Sequence, residues 1–299
     1  MEKMKLPKQN VALAMDDFID NAMKKIRDDL EFYEVVKQLN PSARVVKDNI
    51  TKFLEFQTDY HYCKNCPGID KCAKNTPHLQ LSLKLDGQFV DVQYSPCEKL
   101  IEQVKRDSLY MYSDFPEEWK NSLVRTLDST SNERRKAVDD FAKILNGNSK
   151  KWIYIYGEPK TGKSYVLATF ANEYANGKKM QIAFVDASTR FQQLNDLSRL
   201  NRAAFENEML KLSNVSLLII DGFGNEYKND YIRDSIILPI LLDRSRNNKP
   251  TFFSSSFSID QIVEMYSTSR AGSIRAKQLG SLLRSECSKE YNFYGVSLY

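Results

Sequence analysis

The stretch "GEPKTGKS", Gly157 to Ser164, constrains this chain more than any other. It meets the spacing G-x-x-x-x-G-K-[S/T] at every fixed position. "WIYIY" stands before it, an apolar run of the kind that forms a buried strand. "YVLATFANEYA" follows with helical spacing. Strand, glycine-bearing turn and helix, in that order, make a cradle for phosphate. Gly157 and Gly162 let the backbone of Glu158, Pro159, Lys160 and Thr161 wrap an anion closely. The N-terminus of the helix that opens with Lys163, Ser164 and Tyr165 favours the same negative charge. Lys163 is expected to reach the β and γ phosphates, and Ser164 to offer its hydroxyl to Mg²⁺. The bland alternative, an accidental glycine-rich turn, accounts for neither flank.

A second signal lies further along. In "LLIIDGFGNE", Leu217 to Glu226, four apolar residues run into Asp221, as where a strand ends beside a magnesium ion. The competing reading is a surface Asp-Gly turn. The position after such an aspartate often holds an acid that handles the attacking water; here it is Gly222. Glu226 could replace that acid if the loop folds back. The expectation is firm nucleotide binding with weak intrinsic hydrolysis. "PTFFSSSF" is another apolar strand, and Ser255 or Ser256 at its end could sense the γ-phosphate.

From Lys150 onward, "KWIYIYG", "MQIAFVDA", "VSLLIIDG" and "PTFFSSSFS" alternate with longer helical stretches. That alternation implies an α/β fold, a largely parallel sheet flanked by helices. A helix over 132–147 precedes it, so the second domain is drawn at 132–299.

The first half reads differently. Helical spacing over 16–39 stops at Asn40-Pro41, and a second helix is expected from about Ser42 to Phe56. Leu79, Leu81, Leu83 and Leu85 alternate with polar residues up to Asp86-Gly87, a hairpin turn, and Phe89 to Tyr94 alternate back. The small helical and β-hairpin domain is drawn at 1–110, with 111–131 a charged connector.

Four of the five cysteines fall between Cys63 and Cys97. The N-terminus lacks the apolar core of a signal peptide, and no window approaches 18 uncharged apolar residues, so a cytoplasmic protein without membrane contact is expected. Disulfides are unusual there, and clustered thiols read first as metal ligands. Cys63, Cys66, Cys72 and Cys97 form the proposed Zn²⁺ set, the hairpin returning Cys97 to the others. His78 or His61 could replace one of them, His78 more naturally. The alternative is a group of reduced, partly buried cysteines. A net charge of +4 does not mark a polyanion-coating protein.

The motifs of the second half resemble the AAA+ ATPases of the DnaC/DnaI helicase-loader family. Besides the phosphate loop and "LLIIDGFGNE", the shared features are "YIRDSIILPILLDRS" and "KPTFFSSSFSIDQIV". The cysteine-bearing first half looks like the firmicute DnaI type, whose N-terminal domain binds zinc and the replicative helicase. The resemblance implies ATP as the nucleotide. It further implies a hexameric replicative DNA helicase and single-stranded DNA as partners, with other primosome proteins and self-association through the ATPase domain as further possibilities. Three departures stand out: the family has Asp-Asp at Asp221-Gly222, Asn at Ser256, and Glu-Arg at Leu283-Arg284. Arg284 is therefore the candidate phosphate-facing arginine, with Arg244 and Arg233 behind it. Lys178, Lys179 and Arg190 are candidates for a basic surface toward DNA. Two alternatives keep the ATPase signatures: a transposition helper of the IstB type, which the cysteine domain argues against, and a nucleotide-binding scaffold with negligible turnover.

Overall fold

The computed structural model describes residues 8–128, 131–267 and 269–295, with the side chains of 8–13 left out. It divides into two compact units, Met1–Lys105 and Arg106–Tyr299.

In the first unit the long helix expected over 16–39 is two, α1 (Lys8–Asp28) and α2 (Leu30–Leu39). Asp29 causes the break. Its carboxylate accepts the N–H of Phe32 at 3.2 Å and so caps α2. The helix expected from about Ser42 also divides, into α3 (Ala43–Asp48) and α4 (Ile50–Lys64). There the Asn49 side chain donates to the Val45 carbonyl at 3.1 Å, competing with the helical ladder. α4 continues beyond Phe56 and carries His61 and Cys63 in its last turns. The hairpin forms as read: β1 (Leu79–Asp86) pairs antiparallel with β2 (Phe89–Pro96), Asp86 opposite Phe89. Gly87 takes φ +60° in the two-residue turn, which an L side chain resists. Leu81, Leu83 and Val90 close a core with Phe32, Phe53 and Phe56. α5 (Glu98–Asp107) follows.

The second unit is a six-stranded parallel sheet in the order β3-β5-β6-β7-β4-β8. Its elements in chain order are β3 (Tyr110–Ser113), α6 (Asn132–Leu145), β4 (Trp152–Gly157), α7 (Lys163–Lys178), β5 (Ile182–Asp186), α8 (Ala187–Leu200), α9 (Arg202–Asn214), β6 (Leu217–Phe223), α10 (Leu238–Arg246), β7 (Thr251–Ser255), α11 (Ile259–Met265), α12 (Arg270–Glu286) and β8 (Cys287–Phe293). Both faces of the sheet are covered. Trp152 and Tyr154 of β4 and Leu218 and Ile220 of β6 point into one core with α8 to α12. Ile153 and Ile155, Leu217 and Ile219 point into the other, under α6 and α7. Two-sided burial is why these strands read as unbroken apolar runs.

The described residues of the stretch drawn as a connector, 111–131, belong to this unit. β3 pairs with β5 at the sheet edge, and Phe115, Trp119, Val124 and Leu127 pack on the core beneath α6 and α7. Ahead of α10 the chain makes a wide π-helical turn over Ile232–Ile237. Pro239 explains it: a proline has no N–H for the carbonyl four residues back and its ring crowds that carbonyl, so the helix opens there.

Candidate nucleotide site and cysteine cavity

β4 delivers Gly157 to the sheet's edge of action, where φ is +133° and an added Cβ would stand 2.1 Å from the Phe293 carbonyl oxygen of β8. Only glycine permits that approach. Gly162, at φ +80°, caps α7, and Lys160 also lies in the left-handed region at +62°. The loop between them is held from within and from outside. Thr161 is buried and donates its hydroxyl to the Glu158 carbonyl at 2.8 Å. Arg134 of α6 donates to the Thr161 carbonyl at 2.6 Å, pairs with Asp128 at 3.0 Å and lies over the Phe293 ring. Lys163 Nζ donates to the carbonyls of Gly157 (2.9 Å) and Glu158 (2.6 Å). Burial pulls its pKa down, against the opposing pull of Asp221 and Glu158. An incoming phosphate would supply the negative charge that this buried ammonium lacks.

Asp221 meets the loop from β6. Its Oδ1 accepts the Ser164 hydroxyl at 2.7 Å, joining the two residues that sequence spacing assigns to Mg²⁺. Burial raises its pKa, partly offset by hydrogen bonds from Ser254 and Ser164. A carboxylate flanked by two hydroxyls is a hard oxygen donor set of the kind Mg²⁺ takes, so these residues fit that ion. Beside the loop, Val124, Leu127, Val138 and Val166 line a cavity of about 310 Å³ together with Arg125, Asp128, Arg134, Arg135 and Asp139. Its mixed apolar and charged lining suits a planar base attached to a phosphate chain.

The structure redistributes several other expected roles. Ser256 is exposed, and Ser255 donates to the Phe223 carbonyl at 2.6 Å. The serine against Asp221 is Ser254, whose hydroxyl bonds the carboxylate and accepts the Gly222 N–H at 3.0 Å. β7 is buried on both faces, so alternation offered no sign of which serine faces the site. Arg134 was missed for a similar reason: nothing in a charged helical stretch marks the one arginine that turns inward. Glu226 does not replace the missing acid. It is buried, its carboxylate accepts the Gly224 N–H at 2.7 Å and the Tyr266 hydroxyl, and burial raises its pKa. Arg244 is fully buried and donates to the Thr251 hydroxyl and to the carbonyls of Leu212, Ser213, Val215 and Pro250. Arg233 is likewise buried, on Asp230, Asp234 and the Tyr266 carbonyl. Neither faces a phosphate. Arg284 is half-exposed and pairs with Asp260 at the start of α11. Arg190 stacks on the Tyr112 ring at 3.7 Å beside Asp114, which removes it from a basic surface. Lys178 and Lys179 stand at the far end of α7 from the phosphate loop.

In the first unit Cys63, Cys66, Cys72, Cys97 and His78 do line one cavity, of about 280 Å³. As placed, however, no three of the described His, Cys, Asp and Glu side chains converge on a point that would hold a metal ion. Three of them have other partners. Cys63 Sγ lies 3.7 Å from Asp59 and 3.4 Å from the Lys74 ammonium, Cys97 Sγ accepts the Leu100 N–H at 3.4 Å, and His78 Nε2 meets the Ile69 carbonyl at 3.1 Å. His61 pairs with Asp29. The zinc geometry expected from spacing is therefore not met, although the hairpin does return Cys97 to the other three. Cys287 is buried at the start of β8.

No protein-family model matches the chain. It is 26% identical over 236 residues to the replicative helicase loader DnaI of Bacillus subtilis (strain 168), covering 77% of this chain and 75% of that protein. To the replicative helicase loader DnaC of Escherichia coli (strain K12) it is 27% identical over 133 residues, 44% of this chain and 51% of that one. A crystal structure of DnaI superposes with a TM-score of 0.56 at 24% identity, covering 65% of this chain and all of that one.

Proposed function

We propose, for a chain whose kinship is with the AAA+ ATPases of the DnaC/DnaI helicase-loader family, that it is an ATP-dependent loader of a hexameric replicative DNA helicase. In this reading ATP and Mg²⁺ bind the second unit. The Lys163 ammonium neutralises the β and γ phosphates, Ser164 and Asp221 hold the ion, and the cavity beside Val124 and Val166 takes the base. ATP binding is the switch, intrinsic hydrolysis is slow, and the first unit engages the helicase so that it is placed on single-stranded DNA. Other primosome proteins and a second copy of the ATPase unit are further partners in this reading, with Arg284 the arginine that would meet a γ-phosphate. Among the described residues no helix is long and apolar enough to cross a membrane.

One observation carries the proposal. The match to the Bacillus loader is longer than the whole second unit, so it extends into the cysteine-bearing unit as well. A phosphate-loop ATPase of another kind would share the second unit alone. That extension disfavours the transposition helper, which shares the ATPase signatures without the cysteine domain. The scaffold reading keeps one specific support, the absent side chain at Gly222.

The test is co-purification with a replicative helicase, with ATP and with ADP. We expect a stable complex whose amount changes with the nucleotide. Absence of a complex in both states would sink the loader reading and leave nucleotide binding untouched. Zn²⁺ belongs to the same proposal on the strength of four thiols around one cavity, which binding would have to turn toward a common point. Backbone hydrogen bonds at His78 and Lys74 lower the Cys72 pKa, which favours a thiolate there. Metal analysis of the purified chain is expected to find about one zinc per chain, and Cys72→Ser or Cys97→Ser to lose it. A metal-free wild-type chain would refute the zinc part alone.

A further inference from the structure

The proposed site has an unusual feature at the end of β6. Gly222 lies at φ +68°, where side chains are strained. A Cβ built there would stand 3.2 Å from the Asn225 amide nitrogen and 3.7 Å from Asp186 Oδ2. The space beside Asp221 is thus faced by a carboxylate from a different strand. Asp186 is the last residue of β5, in register with Asp221 across the parallel pair. Its other oxygen, Oδ1, accepts the Thr189 N–H at 2.8 Å and caps α8. Its own N–H donates to Asp114 at 3.2 Å. One oxygen is anchored by a helix terminus, and the second is aimed at the place where position 222 would carry its side chain.

We infer that Asp186 is the acid that takes the proton of the attacking water, moved from the position after Asp221 to the end of the neighbouring strand. The inference rests on the reading of this site as one for ATP and Mg²⁺. In the step, a water oxygen bonds to the γ-phosphorus as the bond from that phosphorus to the β–γ bridging oxygen breaks. The electron pair of the broken bond leaves on ADP. The water's proton goes to the Asp186 carboxylate and from there to solvent, and ADP and inorganic phosphate are released. Lys163 holds the departing charge. The Asn225 side-chain nitrogen lies near the same place and could hydrogen-bond the same water. β5 is one strand farther from β4 than β6 is. The acid therefore acts at longer reach than one carried by β6 itself, and slow turnover follows from the geometry.

The test is Asp186→Asn in the full chain. Asparagine caps a helix as well as aspartate, so α8 keeps its start while the proton acceptor is lost. Three quantities are measured: ATP affinity with Mg²⁺, the thermal midpoint, and the single-turnover hydrolysis rate with protein in excess over ATP. Lys163→Ala sets the background of contaminating activity. We expect affinity within twofold of wild type, an unchanged midpoint, and a rate lower by on the order of a hundredfold or down to background. Asp186→Ser, a second capping residue without a carboxylate, should behave the same and serves if the first variant fails to fold. A rate within twofold of wild type in a folded variant overturns the inference. So does a wild-type chain that binds ATP and turns none over. A wild-type chain that binds no ATP overturns the underlying site reading, and this inference with it.

Discussion

Lys163→Ala is expected to weaken Mg·ATP binding on the order of a hundredfold, equivalent to about 3 kcal/mol, the value of hydrogen bonds to a charged group. The fold should survive. Lys163 donates to the carbonyls of Gly157 and Glu158, which lie on a partly open loop and can turn to water instead. A buried ammonium whose pKa burial already lowers is costly in the free protein, so its removal relieves one penalty as it removes two hydrogen bonds. The stability change should stay within about 1 kcal/mol. Titration with a fluorescent ATP analogue reads the affinity. Thermal unfolding with and without ATP gives an independent reading, since a ligand that binds only the folded state raises the midpoint. A variant that keeps the wild-type ATP-induced rise would show that nucleotide does not depend on this loop.

Arg244 should produce the opposite pattern. Arg244→Met is expected to destabilise the second unit by about 4 kcal/mol, since breaking a buried charged network leaves polar groups without partners. For a domain of this size that lowers the midpoint by roughly 10 °C. Its guanidinium ties the end of α9 (Leu212, Ser213), the residue after it (Val215) and the start of β7 (Pro250, Thr251). Burial lowers its pKa to about 9, against the opposing pull of Tyr174, and it stays charged at neutral pH. Lysine cannot replace it, because one ammonium cannot reach oxygens on both elements. ATP affinity of the folded fraction should be unchanged. A variant that loses ATP binding and keeps its midpoint would restore Arg244 as a phosphate-facing arginine. Chemical denaturation of the two proteins decides between these outcomes.

The legible parts of the chain are those whose geometry is carried by adjacent residues. "GEPKTGKS" specifies its own turn through Gly157 and Gly162, and Asp86-Gly87 specifies the hairpin, so both appear as read. Spacing assigned Ser164 and Asp221 to one Mg²⁺, and the fold brings the two into hydrogen-bond contact, which spacing did not foresee. What escaped depends on contacts between distant residues. Apolar spacing runs across Asp29 and Asn49, and only the hydrogen bonds of their side chains show that the helices break there. β3 has four residues and joins the sheet by pairing with β5, which no local pattern announces. Ser254 differs from Ser256 only in register, and the cysteines share a cavity without the convergence their spacing suggested.

The approach of Gly157 to Phe293 joins residues far apart in the sequence of the second unit. Arg134 binds the same loop from α6 and rests on the same phenylalanine ring. The shape of the phosphate cradle is therefore a property of the completed sheet rather than of its own eight residues. A fragment containing strand, loop and helix alone would carry the full motif without its supports. Nucleotide would then act as a reporter of assembly: its affinity for a partly folded chain should be negligible, and saturation at a hundredfold excess over the dissociation constant should add about 2.7 kcal/mol to the folded state.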